Sequence, residues 1–309
     1  MAAFLARKSS GPVPGRTPSN WRKSEVRAAY LFSAPTLILL AVFTLGPAAY
    51  AFYLSGFSWN LLNTMHWVGG ANFTQLLSMP LFWTSVKNSV IFAAVVMPVQ
   101  TIIAMVFAVI MNQNLPARSL FRLAFFFPSI SSSAVTSLIF LWIFNKLGLL
   151  NGFLGFLHIT GPDWIGNPHF ALSAIMILNI WSTSGYFMVV FLAGLQSIPR
   201  SMYEAAAIDG ATPFQRFRYM TVPLLRPTTF FIVVMGLIGT LQMFDQAFII
   251  SGGTGGPLNS TTTIALLIYQ FIFSYGKVGL GAAATVFLFV LVLLATIATN
   301  RWLGKPIEY

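Results

Sequence analysis

Histidine most often moves a proton or holds a metal at neutral pH, and it occurs here at His66, His158 and His169, isolated from one another between apolar runs. No H-E-x-x-H or G-x-S-x-G pattern surrounds them, so they read as loop histidines satisfied by water. Cysteine is absent, which excludes disulfides and thiol chemistry. Gly276-Lys277 and Gly304-Lys305 lack both the upstream glycine and the following Ser or Thr of a phosphate-binding loop. The expectation is a chain with no catalytic residue, no metal site, no cofactor of its own and no ATP hydrolysis.

Polar residues inside apolar runs carry a different chemistry. Asn179, Thr183 and Tyr186 are spaced by four and three, so a helix puts them on one face, with Trp181 and Ser182 beside it. Gln242, Asp245 and Gln246 repeat that geometry further on, with Thr240 and Met243 nearby. Amides and carboxylates pair with solute hydroxyls, and aromatic faces cover the apolar side of a sugar ring. The alternative is helix-to-helix hydrogen bonding, worth roughly 0.6 to 2 kcal/mol per bond. Asp245 stands apart, because an ionisable group within a span is a functional candidate in its own right.

These residues need membrane-spanning elements to position them. The 309 residues are 57% apolar and only 7% charged, against about 25% charge in a soluble chain. The mean hydropathy of +0.78 arises from apolar runs long enough to cross a hydrocarbon layer about 30 Å thick. The runs predict an all-α polytopic membrane protein with six transmembrane helices, near residues 30–54, 89–111, 123–144, 170–195, 228–250 and 280–299. Residues 1–29 read as a largely disordered basic tail, and the first span as retained rather than cleaved. Pro35, Pro98, Pro128, Gly185, Gly236 and Gly239 mark bends or close helix approach. The shorter apolar stretches at 147–159 and 264–273 read as external segments, lying at the interface or packed on helix ends, with Trp164, Tyr269 and Tyr275 at headgroup depth.

Charge sets the orientation. Counting alternate loops, fourteen of the seventeen Lys and Arg fall on one side, and Lys87, Lys146 and Lys277 on the other. Basic residues near span ends are retained in the cytoplasm, so both termini are expected there. The formal charge of +11 is thereby explained by topology, with no nucleic acid partner.

The connection between the fourth and fifth spans is rich in helix signals. Ser201 and Glu204, three apart after Pro199, fit a capping box opening a helix through Ala205, Ala206 and Ala207, which Asp209-Gly210 stops. Thr212, Pro213 and Gln215 open a second short helix, which Pro223 is expected to end. The bland reading is a structured loop joining two spans.

The order Glu204-Ala205-Ala206, then Gly210, then Met220-Thr221-Val222-Pro223 closely resembles the EAA loop of ABC importer permeases, with Met220 and Val222 where the family usually has Ile and Leu. The resemblance covers a core domain at about residues 85–301, with the EAA loop at 198–227. Ile208-Asp209-Gly210-Ala211, Val222 through Pro227, and the stretch from Phe244-Asp245 through Gly255-Gly256-Pro257 to Thr261-Thr262-Thr263 look like the carbohydrate class, a sugar or glycerol-phosphate importer.

Such membership implies the type I ABC importer permease fold and the first permease of an unlike pair. It further implies a second homologous permease, two ATP-binding subunits carrying ATP and Mg, and an extracytoplasmic solute-binding protein. The chain would be a multi-pass protein of the bacterial cytoplasmic (inner) membrane, embedded in lipid and passing a carbohydrate solute by alternating access. The resemblance assigns Glu204, Ala205, Ala206, Asp209, Gly210 and Phe214 to coupling with the ATPase. It places the substrate path at Asn179, Thr183, Tyr186, Thr240 and Met243, to which Gln242 and Asp245 are added from their helical face. Alternatives are an ABC permease for another solute class, a membrane scaffold, or a secondary transporter in which Asp245 carries a coupling ion.

Overall fold

The computed structural model describes residues 19–62, 64–113 and 116–304. The chain divides into two units, residues 1–50 and 51–309. The first holds α1 (Ser19–Leu40), a π-helical turn (Ala41–Leu45) and the beginning of α2 (Gly46–Ser55). Helix therefore starts eleven residues before the expected span, correcting the reading of 19–29 as disordered tail. Past Pro18 the Arg, Lys, Glu and Ala of that stretch favour helix, and no further proline interrupts it before Pro35. The remainder of that tail, with Arg7, Lys8 and Arg16, lies outside the described residues, as does Lys305.

The second unit continues with a small antiparallel hairpin, β1 (Phe57–Ser58) and β2 (His66–Trp67), in which Phe57 faces Trp67 and Ser58 faces His66. Then come α3 (Ala71–Ser78), α4 (Pro80–Met111), α5 (Arg118–Ile130), α6 (Ser133–Ile143), α7 (Leu149–Phe156) and α8 (Pro168–Gln196). The loop helices are α9 (Arg200–Ile208), α10 (Pro213–Arg216) and α11 (Val222–Leu224). The chain closes with α12 (Arg226–Leu241), α13 (Asp245–Ser251), α14 (Ile264–Tyr269) and α15 (Val278–Leu303).

Five helical runs among the described residues are long and apolar enough to cross a membrane, and α5 with α6 makes a sixth. That pair is bent by 98°. Pro128 takes one amide out of the ladder, and Ser131 and Ser132 turn extended at ψ 146 and 133. The expected fifth span is likewise interrupted: α12 stops at Leu241 and helix resumes at Asp245, with the freed Met243 carbonyl accepting from Thr263 Oγ1 at 2.8 Å. Pro98, by contrast, sits inside a continuous α4.

The core lies along α4 and α8. Ala104, Ala108, Phe187, Met188, Phe191 and Leu192 form one buried cluster there. Small residues let the backbones approach, as lipid-embedded helices require when no hydrophobic gain drives them together. The outward faces remain apolar, with Ile102 and Val106 on α4 and Leu293, Leu294 and Ile297 on α15 exposed as a lipid-facing surface. Of the two short apolar stretches, α7 keeps no buried residue. The other is packed inside: Ile264, Leu266, Leu267 and Phe271 are buried against α3, α4 and α15.

At Gly185 on α8 a Cβ would strike the backbone carbonyl of Phe125, so glycine there sets the distance between α5 and α8. Gly185→Val should force the two helices apart and cost at least about 1 to 3 kcal/mol. Thermal unfolding of the purified protein checks this, and an unchanged Tm would refute the close approach.

Candidate functional site

Two places gather the residues singled out above. The first is the loop at 198–227. α9 begins at Arg200, two residues earlier than the capping reading requires, and its N-cap Pro199 makes no side-chain cap. The Ser201–Glu204 capping box is therefore not formed. Pro199 already fixes the chain for helix entry, which leaves both side chains within the helix rather than at its edge. The stop at Asp209-Gly210 is made as expected: Gly210 takes φ +77, its amide donates to Ala207 O at 3.1 Å, and Ala211 N donates to Ala206 O at 2.9 Å. These two bonds close a Schellman motif.

The Thr212–Gln215 capping box of α10 is present, with Gln215 N donating to Thr212 Oγ1 at 3.3 Å and Thr212 N to Gln215 Oε1 at 2.8 Å. Pro223 does not end the helix. The backbone widens into a π turn (Phe217–Thr221) and helix continues as α11 to Leu224. A wide turn just before proline spares the clash between its ring and the preceding carbonyl, and the π turn at Ala41–Leu45 stands in the same relation to Pro47.

The loop is fastened on its inner side. Tyr203 OH and Thr221 Oγ1 are 3.0 Å apart, Met202 and Tyr203 pack on the cluster holding Leu195, Ile198 and Leu225, and Arg226 Nη2 donates to Trp302 O at 2.9 Å. Its other face is open. Glu204, Ala205, Asp209 and Gly210 are exposed, Ala206 half-buried, and the apolar side chains of Ile208 and Phe214 are 87% and 72% exposed. Neither Glu204 nor Asp209 has a side-chain partner among the described residues. Large exposed apolar side chains beside unpaired acids mark a surface awaiting a partner.

The second place is a polar cavity of about 300 Å³ at the α5–α6 bend. It brings Asn179, Thr183 and Tyr186 together with Ser182 on α8, as the spacing requires, and adds Gln246 from α13. Asn179 Nδ2 donates to Gln246 Oε1 at 2.9 Å. Thr183 Oγ1 lies 2.6 Å from Gln100 Oε1 and 2.7 Å from the Asn179 carbonyl, sharing one proton between them.

The other path residues lie elsewhere. Thr240 is buried and bonds back to Gly236 O at 2.8 Å, and Met243 belongs to the core around Phe92 and Val96. Gln242 and Asp245 are exposed outside the cavity. Helix is interrupted at 242–244, so the continuous helix that would put Gln242, Asp245 and Gln246 on one face is absent, and of the three Gln246 is the one that lines the cavity.

Five polar residues were missed: Gln100, and the Ser129, Ser131, Ser133 and Thr136 of the bend. A lone amide two residues after Pro98, and three consecutive serines inside an apolar run, were the available signals. The histidines do not meet; His66 and Thr64 pair locally at 3.1 Å.

Comparisons with known proteins bear on the chain as a whole. Residues 24–305 match the family model of the binding-protein-dependent transport system inner membrane component. The lactose transport system permease protein LacF of Rhizobium radiobacter is 36% identical over 272 residues, covering 87% of this chain and 91% of that one. The trehalose/maltose transport system permease protein MalF of Thermococcus litoralis is 34% identical over 281 residues, covering 90% and 94%. A bacterial ABC transporter that imports the acidic polysaccharide alginate has the same fold in its solved structure, with TM-score 0.79 and 20% identity over 93% of this chain and 99% of that one.

Gly210→Val should cost about 1 to 2 kcal/mol through its left-handed backbone alone, since no atom lies within 4 Å of the added Cβ. Trypsin would then cut faster at Arg200, Arg216 and Arg218, and unaltered cleavage would show that the elbow does not hold the loop.

Proposed function

We propose, from the premise that this chain belongs to the family of binding-protein-dependent transport system inner membrane components, that it is the membrane permease of an ATP-driven carbohydrate importer. The single observation that carries the mechanism is the two-faced loop at 198–227, clamped to α8, α12 and α15 within and bare outside. A short capped helix on such a mount is a rigid body that passes a neighbour's movement into the spans. The neighbour is an ATP-binding subunit, two copies serving this permease and a second homologous one. Glu204 meets a cation of that subunit, Ala205 and Ala206 allow close approach, and Phe214 fills an apolar hollow beside Gly210 and Asp209.

A carbohydrate cargo is supported by the names of the relatives and by the donor set of the cavity. Asn179, Thr183, Ser182 and Gln246 offer paired donors and acceptors, and Tyr186 an aromatic ring, with no charge among them. That suits a neutral, hydroxyl-rich solute delivered by an extracytoplasmic binding protein. Bending at Ser131–Ser132 brings irregular backbone to the cavity side, where polar groups replace water. The loop lies at the end of the bundle shared with Arg118 and the C-terminal end of α15, while Lys277 lies at the opposite end beside Trp59. The excess of arginine at the loop end supports a cytoplasmic position for it and for the C-terminus.

Two substitutions test the reading. In proteoliposomes containing the complete complex, Glu204→Lys should reduce ATP-driven uptake at least about tenfold while the permease remains inserted. Full uptake would remove the ion pair. Asn179→Ala should change which sugar is taken up while ATP turnover continues, and an identical preference in both Asn179→Ala and Gln246→Ala would move the solute path away from the bend.

A further inference from the structure

Behind the loop lies a cleft of about 740 Å³, larger than the cavity at the bend and separate from it. Its charged lining is wholly cationic: Arg118 from α5, Arg200 from α9 and Arg216 from α10, joined by Asn112, Gln113 and Gln196. Among the described residues no Asp or Glu lines it. None of the three guanidinium groups has a side-chain hydrogen bond or ion pair among the described residues, and Arg216 Nε is buried without a partner. Asp209 borders a neighbouring hollow together with Arg216, yet the two form no ion pair. Arg122, one turn beyond Arg118, is turned instead to the Met111 carbonyl at 2.9 Å.

Two helices also begin at this cleft. Arg118 and Arg200 are the first residues of α5 and α9, and neither N-terminus has a side-chain cap, whereas α8 and α10 are capped by Asn167 and Thr212. The positive ends of two helix dipoles thus add to the three guanidinium-bearing residues that line one cleft. Like charges held together repel unless an anion joins them, and guanidinium matches the oxygens of a phosphate in paired hydrogen bonds. Basic pockets between span ends are where anionic headgroups are held.

We propose that this cleft is a binding site for a phosphate-bearing anion, held by Arg118, Arg200 and Arg216. The bound phosphate ties the loop helices α9 and α10 to the start of α5, a link for which no side-chain hydrogen bond or ion pair stands among the described residues. The site is independent of the transported solute. Its phosphate comes either from an anionic lipid whose headgroup enters from the surrounding leaflet or from free phosphate in solution.

The full-length chain, purified in neutral detergent, is titrated with phosphatidylglycerol, with phosphatidylcholine and with inorganic phosphate. Native mass spectrometry counts retained lipid, and calorimetry reads phosphate. Preferential retention of phosphatidylglycerol, weakened at least about tenfold in each of Arg118→Gln, Arg200→Gln and Arg216→Gln, establishes the site with a lipid source. Binding of inorganic phosphate that the same variants weaken, with no preference between the lipids, establishes it with a soluble source. Arg218→Gln serves as the control, since Arg218 is exposed outside the cleft, with its guanidinium 6.0 Å from the Tyr219 ring centroid. Single-residue variants that elute as the same monodisperse species as the parent keep misfolding out of the comparison. Equal retention of both lipids with no phosphate binding, or binding that survives in all three variants, overturns the proposal.

Discussion

Hydrocarbon offers no hydrogen-bond partner, so every polar group that enters it must be satisfied within the protein. That constraint explains why the hydroxyls of the spans are mostly silent. Thr101 donates to Met97 O, Ser137 to Ser133 O, Ser184 to Ile180 O, Thr240 to Gly236 O and Thr285 to Gly281 O, each one turn back on its own helix. Such a hydroxyl costs little and carries no information about neighbours. Amides cannot hide this way so easily, and several of the bonds that cross between elements are theirs. Asn179 reaches Gln246, Gln100 meets Thr183, and Asn88 Nδ2 donates to the carbonyls of Asn259 and Thr262, both at 3.0 Å.

The same constraint governs where the chain is permitted to break. Residues 252–263 run through several left-handed positions, among them Gly252, Gly253, Gly255 and Gly256, and leave carbonyls that no helix satisfies. Asn88 serves two of them, Gln270 Nε2 donates to Gly253 O at 2.8 Å, and Ser89 Oγ accepts from Ile264 N at 3.0 Å. The irregular segment is thus fastened to α4 on one side and to the π turn after α14 on the other. At the α5–α6 bend the substitutes are the serines themselves, with Thr136 Oγ1 reaching both Ser132 O and Ser133 O. Polar residues around a break serve the backbone first, and the cavity they line is a consequence of that duty.

Much of this was legible in the sequence because it depends on run length and local chemistry. The position of each span, the Gly210 elbow and the Thr212–Gln215 cap follow from apolar length, positive φ and the reach of a side chain three residues on. What failed depended on backbone geometry that residue types alone underdetermine. Ser201 and Glu204 have the capping spacing, but Pro199 moves the helix start forward by two residues. Pro223 looks like a terminator, yet a π turn absorbs it. Gln242, Asp245 and Gln246 share a face only if the helix is continuous, and Phe244 at φ −126, ψ −61 breaks it. The partner of Thr183 lies 83 positions away at Gln100, a separation that no local pattern encodes.

The mounting of the loop decides which spans a push would move. Tyr203 and Thr221 join α9 to the π turn, Leu195, Ile198 and Leu225 bury the root of the loop between α8 and α12, and Arg226 holds the end of α15. Force applied at Glu204 therefore enters α8 at Gln196, about 26 Å along the helix from Asn179 at 1.5 Å per residue. Between those points α8 is continuous and packed on α4 through Phe187, Met188 and Phe191, so it moves as a rod rather than flexing. Its partner across the cavity is the bent α5–α6 pair, whose Phe125 backbone lies close against Gly185 of α8, between the loop and Asn179. A rod pivoting at that contact swings Asn179 and Thr183 in the direction opposite to Gln196. In the proposed mechanism such a swing loads the Asn179–Gln246 bond most, because Thr183, bonded to Gln100, stands next to the pivot.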